Sequence, residues 1–300
     1  MSSVLSEPVS NNKDQLQRFV FDEMDARGCI VRLHNTCEDI QATHYYPPRL
    51  AKILNQFTAA VTLLRDSIKI ASSVTIQLRS QGAISLIMAD CMSDRSVRAI
   101  AEYNADELNA NDEIEFNKMG EGATLAITIT PDEGERYQAI VPIEHAGLEQ
   151  CLEDYFARSE QLPTWFRLLS NTEQCVGIAI HALPNEKIKD NEETAENFAR
   201  LKTLITTLNF EESISYEPEQ ILRRLFHDES CRVFSPTEVR FGCHCSMEKS
   251  RDALKALGAE GLAKLVAEQK LKGSQNLVVD CHFCFQRYEF EIDKLDSLLI

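Results

Sequence analysis

Four of the ten cysteines stand in two tight pairs near the end of the chain. Cys243 and Cys245 lie in 240-RFGCHCSMEKS-250, and Cys281 and Cys284 lie in 279-VDCHFCFQRYEF-290. No other feature restricts the fold of a segment so strongly. A tetrahedral zinc site takes about four thiolate or imidazole ligands, commonly delivered as two close pairs separated by a small folded unit. Both pairs sit beside polar turn residues rather than inside apolar runs, which sets them apart from buried core cysteines. His244 and His282 lie within the pairs, where the backbone turns them differently from the flanking cysteines, so they read as lying outside the ligand set. A dithiol redox enzyme would need its CxxC at the start of a helix in a βαβ setting, whereas 285-FQRYEF-290 reads as strand. Spacing alone leaves an iron–sulfur cluster open. A structural zinc, one per chain, is the favoured reading.

Between the pairs, 246-SMEKSRDALKALGAEGLAKLVAEQK-270 is expected to be helical. Ser246 suits the N-cap, Leu254 and Leu257 supply an apolar face, and Gly258 stops the helix. Leu262, Leu265 and Val266 mark a second helical group. The runs 277-LVVD-280 and 285-FQRYEF-290 then flank the CxxC turn as short strands. Large apolar residues are few in this block. Structural zinc contributes on the order of 10 to 16 kcal/mol to the folding of small zinc modules, so without metal the block is expected to unfold. A metal-bound thiolate is also an oxidation target where access allows, and oxidation to a disulfide removes ligands and releases the metal.

The other six cysteines, Cys29, Cys37, Cys91, Cys151, Cys175 and Cys231, follow no pattern. In a reducing compartment they are expected to act as small buried apolar residues. The start of the chain, MSSVLSEPVSNNKDQ, lacks a basic region followed by an apolar run, and no stretch has the apolar length of a membrane span. A cytoplasmic protein without a membrane partner is the expectation.

From about Gln15 to Leu183 strand-like and helix-like segments alternate. The strand candidates are 29-CIVRLH-34, 73-SVTIQLRSQG-82, 83-AISLIMADC-91, 97-VRAIAEY-103, 124-TLAITITP-131 and 136-RYQAIVPI-143, rich in β-branched residues and bounded by turn formers. The last two form a hairpin around Asp132 to Glu135. In 48-PRLAKILNQFTAAVTLLRDSIK-69, Leu50, Ile53, Leu54, Phe57, Ala60, Val61 and Leu64 recur at helical spacing behind Pro48. A second helix is expected over 147–161. The fold class that follows is α+β, built from hairpins and a few helices.

After Pro184 the strand signals stop and the chain becomes charged and helical. Phe198, Leu201, Leu204, Ile205 and Leu208 form one apolar stripe, opened by acidic residues suited to a helix N-terminus. A second short helix follows Pro218, with Ile221, Leu222, Leu225 and Phe226 on one side. Helices this short are marginal alone in water, so their apolar faces need a partner surface. The expected organisation is an α+β core over 1–186, a helical linker over 187–238 and a small zinc-binding domain over 239–300.

Charge narrows the function. With 31 basic and 47 acidic side chains the net charge is −16, which repels phosphate backbones and anionic lipid heads. The last block shows no basic patch, which weighs against nucleic acid as a partner. The alternative from another class is a zinc-ribbon binding module for nucleic acid or protein, attached to a metabolic α+β domain. No phosphate loop, nucleophile elbow or HExxH motif points to an enzyme.

The residues resemble one known family over nearly the whole chain. They include 44-HYYP-47, 77-QLRSQG-82, 120-GEGATLAITIT-130, 154-DYFARSEQLPT-164, 222-LRRLF-226, 241-FGCHCS-246 and the CxxC at Cys281. In that order they resemble the heat-shock protein 33 family of redox-regulated holdase chaperones. Departures from the family pattern are Ala99 and Ala139 where glycine is common, His181 where glutamine is common, and a long interval between the cysteine pairs. None touches a candidate ligand. The resemblance implies that Cys243, Cys245, Cys281 and Cys284 bind Zn2+ in an inactive reduced form. It implies that oxidants, helped by heat, form the disulfides Cys243–Cys245 and Cys281–Cys284, release zinc and destabilise the linker. It further implies ATP-independent binding of unfolded client proteins, usually as a homodimer, with clients passed to the DnaK foldase system after reduction.

Overall fold

The computed structural model describes residues 13–108, 114–119, 122–160, 162–184 and 191–298. Along these residues run β1 (Gln15–Phe21), β2 (Ala26–Leu33), α1 (Asn35–Thr43), α2 (Pro48–Ser67), β3 (Ser72–Arg79), β4 (Ile84–Cys91), β5 (Ser96–Tyr103), β6 (Thr124–Pro131) and β7 (Tyr137–Val141). Helix α3 (Leu148–Tyr155) continues as a π-helical turn over Phe156–Glu160 and leads into β8 (Thr164–Ser170) and β9 (Cys175–Ala182). Then come α4 (Asn191–Thr207), α5 (Phe210–Ser215), α6 (Pro218–Leu225), β10 (Cys231–Val233), β11 (Thr237–Glu238) and β12 (Arg240–Phe241). The last segment holds α7 (Met247–Ala256), α8 (Gly258–Leu271), β13 (Asn276–Asp280), β14 (Arg287–Glu291) and a 3₁₀ segment at Ile292–Leu298. This is the α+β class read from the sequence. Two compact units result, Met1–Phe241 and Gly242–Ile300.

In the first unit, one sheet has the order β10-β1-β2-β9-β8, with β11 also paired to β1, and the other has the order β12-β5-β4-β3-β6-β7. Helix α2 packs against strands of both sheets. Sequence spacing gave α2 one apolar stripe, but the helix is buried nearly all round: Ala51, Ala59 and Leu63 are covered along with the stripe, and Ile53 only in part. The threonines on its far side stay satisfied because Thr58 and Thr62 donate to the carbonyls four residues back, at 2.8 Å each. Close approach is possible because Gly177 on β9 lacks a side chain: a Cβ there would meet Leu63 Cδ1 at 2.9 Å.

Strand β9 is covered on both faces, with Cys175 and Ala179 in the α2 core and Val176, Ile178 and Ile180 in a second core on the opposite face. A strand of this kind loses its alternating pattern. Strands β1, β8 and β9 and helix α1 extend the elements read from the sequence. The helix expected over 147–161 is α3 with its π-helical continuation, Leu148 to Glu160.

The linker helices close that second core. Phe198, Leu201, Ile205 and Leu208 are buried with Phe19, Phe21, Ile30, Ile178 and Ile180, joined by Ile221, Leu222, Leu225 and Phe226, while Leu204 is half-buried. The partner surface that the stripe needs is therefore the outer face of the first sheet. Phe226 stacks edge-on with Phe21 at 5.0 Å between ring centroids. Arg32 of β2 bonds Glu217 Oε2 at 2.7 Å and the Tyr216 carbonyl at 2.9 Å, holding the start of α6.

In the second unit, the described residues Leu254, Leu262, Leu277, Phe290, Ile292 and Leu295 are buried together as a core. Ser246 caps α7, accepting from the Lys249 N–H at 3.2 Å. Gly258 takes φ +70 and separates α7 from α8. Leu257, expected on the apolar face, is instead 51% exposed because it lies in that corner between the helices. The expected boundary between residues 186 and 187, the first twelve residues, and residues 120–121 and 161 of the family motifs lie outside the described residues. No helix among the described residues is long and apolar enough to cross a membrane.

Candidate metal centre

Two local devices bring the thiols together. Strands β13 and β14 pair antiparallel up to Asp280 opposite Arg287, whose side chains form an ion pair at 2.8 Å. The chain then reverses through the CxxC: the Cys281 N–H donates to the Gln286 carbonyl at 2.9 Å, and the Phe285 N–H to the Cys281 carbonyl at 2.8 Å. Phe285 takes a left-handed φ of 55 to complete the turn. Inside it, Cys281 Sγ accepts from the backbone N–H groups of Phe283 and Cys284, and Cys284 Sγ from that of Gln286. On the other side, Lys249 Nζ donates to the His244 carbonyl at 2.7 Å and ties the CxC run to the first turn of α7.

Cys243 Sγ and Cys281 Sγ are 3.6 Å apart, Cys245 Sγ and Cys284 Sγ 3.4 Å, and all four sulfurs lie within 4.8 Å of one another. The structure thus assembles all four sequence-predicted residues in a group that could hold a metal ion. Neither His244 nor His282 belongs to it. The sequence reading missed Tyr288, whose hydroxyl donates to Cys245 Sγ at 3.1 Å. Its position four residues beyond Cys284, on the strand leaving the turn, was the available signal.

Without a metal, the surroundings of the cluster favour protonated thiols. Burial pushes the Cys281 and Cys284 thiols up, and hydrogen bonds with neighbouring thiols push in the same direction. The Tyr288 hydroxyl rises to about 12, chiefly because it is committed to Cys245. Four sulfurs this close cannot all be anions unless a positive charge offsets their repulsion.

The remaining cysteines behave as expected of core residues in five cases: Cys29, Cys37, Cys91, Cys151 and Cys175 are buried, while Cys231 is half-buried. Burial raises Cys91 to about 12 and Cys231 to about 11. Their reactive thiolate forms are scarce near neutral pH.

A sequence model described as Hsp33 protein matches residues 14–291. The chain belongs to the Hsp33 family. A relative named 33 kDa chaperonin from Pseudomonas aeruginosa (strain UCBPP-PA14) is 39% identical over 288 residues, covering 96% of this chain and 95% of that protein. Another of that name, from Azotobacter vinelandii, is 41% identical over 286 residues, covering 95% and 94%. The crystal structure of the 33 kDa chaperonin (heat shock protein 33 homolog) from Thermotoga maritima superposes with a TM-score of 0.75 at 22% identity, covering 95% of this chain and 97% of that one. That likeness shows the shared Hsp33 fold. The chain is accordingly a member of a chaperone family.

Proposed function

We propose that the chain is a cytoplasmic, ATP-independent holdase that oxidation activates by releasing Zn2+ from Cys243, Cys245, Cys281 and Cys284. The four-thiol cluster carries the reading. A tetrahedral zinc site with bonds of about 2.3 Å has sulfur–sulfur edges of about 3.8 Å, close to the 3.6 and 3.4 Å separations found here. Zinc would hold the thiols as thiolates and link the CxC to the CxxC. The N–H groups of Phe283, Cys284 and Gln286 and the Tyr288 hydroxyl would steady the sulfur charge and so tune how readily the thiolates react.

In the proposed switch, each cysteine pair gives two electrons to a peroxide. An S–S bond forms, the peroxide O–O bond breaks, and two protons from solvent complete two waters. The products are the disulfides Cys243–Cys245 and Cys281–Cys284. Neighbour pairing leaves the CxC and the CxxC unlinked, so the second unit, with six buried core residues among those described, loses its principal tie. Residues 187–238 then undock, and the stripe at Phe198, Leu201, Leu204, Ile205 and Leu208 leaves the first sheet. The exposed apolar surfaces of linker and core bind unfolded client proteins, the oxidised chain works as a homodimer with the core over 1–186 providing the dimer contact, and reduction passes clients to the DnaK foldase system.

Peroxide with mild heat is expected to release about one zinc per chain, form two disulfides by peptide mapping, and switch on suppression of client aggregation. A reduced, zinc-loaded protein that suppresses aggregation equally well would refute the switch.

A further inference from the structure

The first unit contains a basic cavity that the metal centre does not involve. Its volume is about 660 Å³, and it is lined by Arg18, Arg27, Arg65, Lys69, Arg95 and Arg232. Among the described residues, the one carboxylate in the lining is Asp66. Asp66 is already engaged by Arg18 in a fork, Nε to Oδ2 at 2.8 Å and Nη2 to Oδ1 at 2.5 Å, with Arg95 3.5 Å away. Arg232 pairs with Asp22 at 2.8 Å. Arg65 donates to the Ile68 carbonyl at 3.0 Å, but its buried Nε finds no acceptor among the described residues. Neither Arg27 nor Lys69 has an ion-pair partner among the described residues. In a protein of net charge −16, such a local excess of positive charge marks a place that attracts an anion.

A second cavity of about 340 Å³ shares part of this wall, namely Arg27, Ser67, Ile68, Lys69, His181 and Leu183. Beyond that seam its lining is mostly apolar, including Leu64, Val74, Ile127, Ile129, Phe156 and Leu162. His181 stands at the junction, with Nε2 2.8 Å from Ser67 Oγ and Nδ1 3.0 Å from Thr164 Oγ1. Burial, and secondarily the charge of Arg27, lower it to about 4. It is therefore neutral near pH 7 and adds no charge to the apolar side.

We infer that the two cavities form one site for a small amphipathic anion, with a phosphate or carboxylate head among Arg27, Arg65 and Lys69 and an alkyl body against Ile129, Phe156 and Leu162. Both volumes fall in the range of ligand pockets, roughly 300 to 1,000 Å³, and a few polar groups converging beside an apolar wall is the arrangement such pockets use. A nucleic acid or membrane surface would have to extend over the acidic exterior. A single small head meets only the local cations.

Calorimetric titration of the full-length, reduced, zinc-loaded protein with alkyl phosphates below their micelle concentrations tests the inference. One saturable site per chain is expected for dodecyl phosphate. Affinity should rise roughly fourfold per methylene from butyl to octyl phosphate, as each buried CH₂ contributes about 0.8 kcal/mol. Inorganic phosphate and dodecanol should each bind at least about tenfold more weakly, since each lacks one of the two recognised parts. Arg27→Gln with Lys69→Gln should weaken dodecyl phosphate about tenfold or more. Lys69→Glu, at an exposed side chain off the strands, should do the same if the double variant fails to fold. Absence of saturable binding, dodecanol equal to dodecyl phosphate, affinity independent of chain length, indifference to Lys69→Glu, or binding seen only with phosphatidic acid vesicles would overturn it.

Discussion

Truncating Leu201 to Ala tests whether linker docking alone restrains chaperone activity. Leu201 is fully buried against the outer face of the first sheet, flanked on the stripe by Phe198 and Ile205. Losing a buried leucine to alanine costs about 3 kcal/mol through lost transfer energy and the residual cavity. That is on the order of a hundredfold in the equilibrium between docked and undocked linker. Few polar ties resist the change. Trp165 Nε1 bonds the Phe198 carbonyl at 3.2 Å, Arg167 bonds the Leu208 carbonyl at 2.9 Å, and Lys202 pairs with Glu153 at 2.9 Å while 42% exposed. An exposed ion pair of that kind contributes at most about 1 kcal/mol. Trp165 is the only tryptophan, stacked on Phe198 at 5.3 Å between ring centroids with Lys202 Nζ 3.7 Å from its ring. Its fluorescence therefore reports docking. In the reduced Leu201→Ala protein, emission should move to the red at temperatures where the wild type is unchanged, and aggregation of a heat-unfolded client should fall without oxidant and with zinc still bound. The volume-conserving Leu201→Met should behave nearly as wild type. A red shift in Leu201→Ala without any gain in aggregation suppression would refute the claim that undocking is what activates.

Cys281→Ser should lower zinc content per chain and loosen the second unit, measured by metal analysis and near-UV circular dichroism; unchanged zinc would remove Cys281 from the ligand set. Tyr288→Phe removes only the hydroxyl bonded to Cys245, so zinc should still bind but about tenfold more weakly, read by competition with a chromogenic chelator, and thiol oxidation by peroxide should quicken. His181, held near 4 by burial and secondarily by the charge of Arg27 against about 6.5 unfolded, takes up its proton only in the unfolded chain between those values. Its stabilising effect is complete above about pH 6.5 and is lost as pH falls towards 4, amounting to about 2 kcal/mol by pH 5. Urea midpoints at pH 7 and pH 5 should separate less in His181→Gln than in the wild type, and equal separations would exclude His181 as the source.

Local chemistry made much of the candidate site legible before any fold was known. The spacing of Cys243, Cys245, Cys281 and Cys284, the Ser246 cap and the strands around the CxxC are short-range features, and each appears where the sequence places it. Tyr288 escaped because an O–H···S contact depends on how two distant turns meet. The break at Gly258 between two helices was legible, but Leu257 was misplaced because it lies in the corner itself, where its exposure depends on how the two helices turn. Helix α2 and strand β9 carry more apolar residues than one face requires, and periodicity alone does not say that both sides are covered.

The sequence by itself determined that the C-terminal block has four thiols at metal-binding spacing, that the region before it is α+β, and that residues around 198–208 carry an apolar stripe needing cover. These follow from spacing and periodicity, which act within a few residues. The tertiary structure alone decided what covers the stripe: the outer face of β1, β2 and β9, whose other face is already occupied by α2. It also decided that arginines from β1, β2, the end of α2 and the turn before β5 line one cavity with Asp66. Such choices depend on which surfaces meet when sequence-distant segments pack, and no window along the chain contains them.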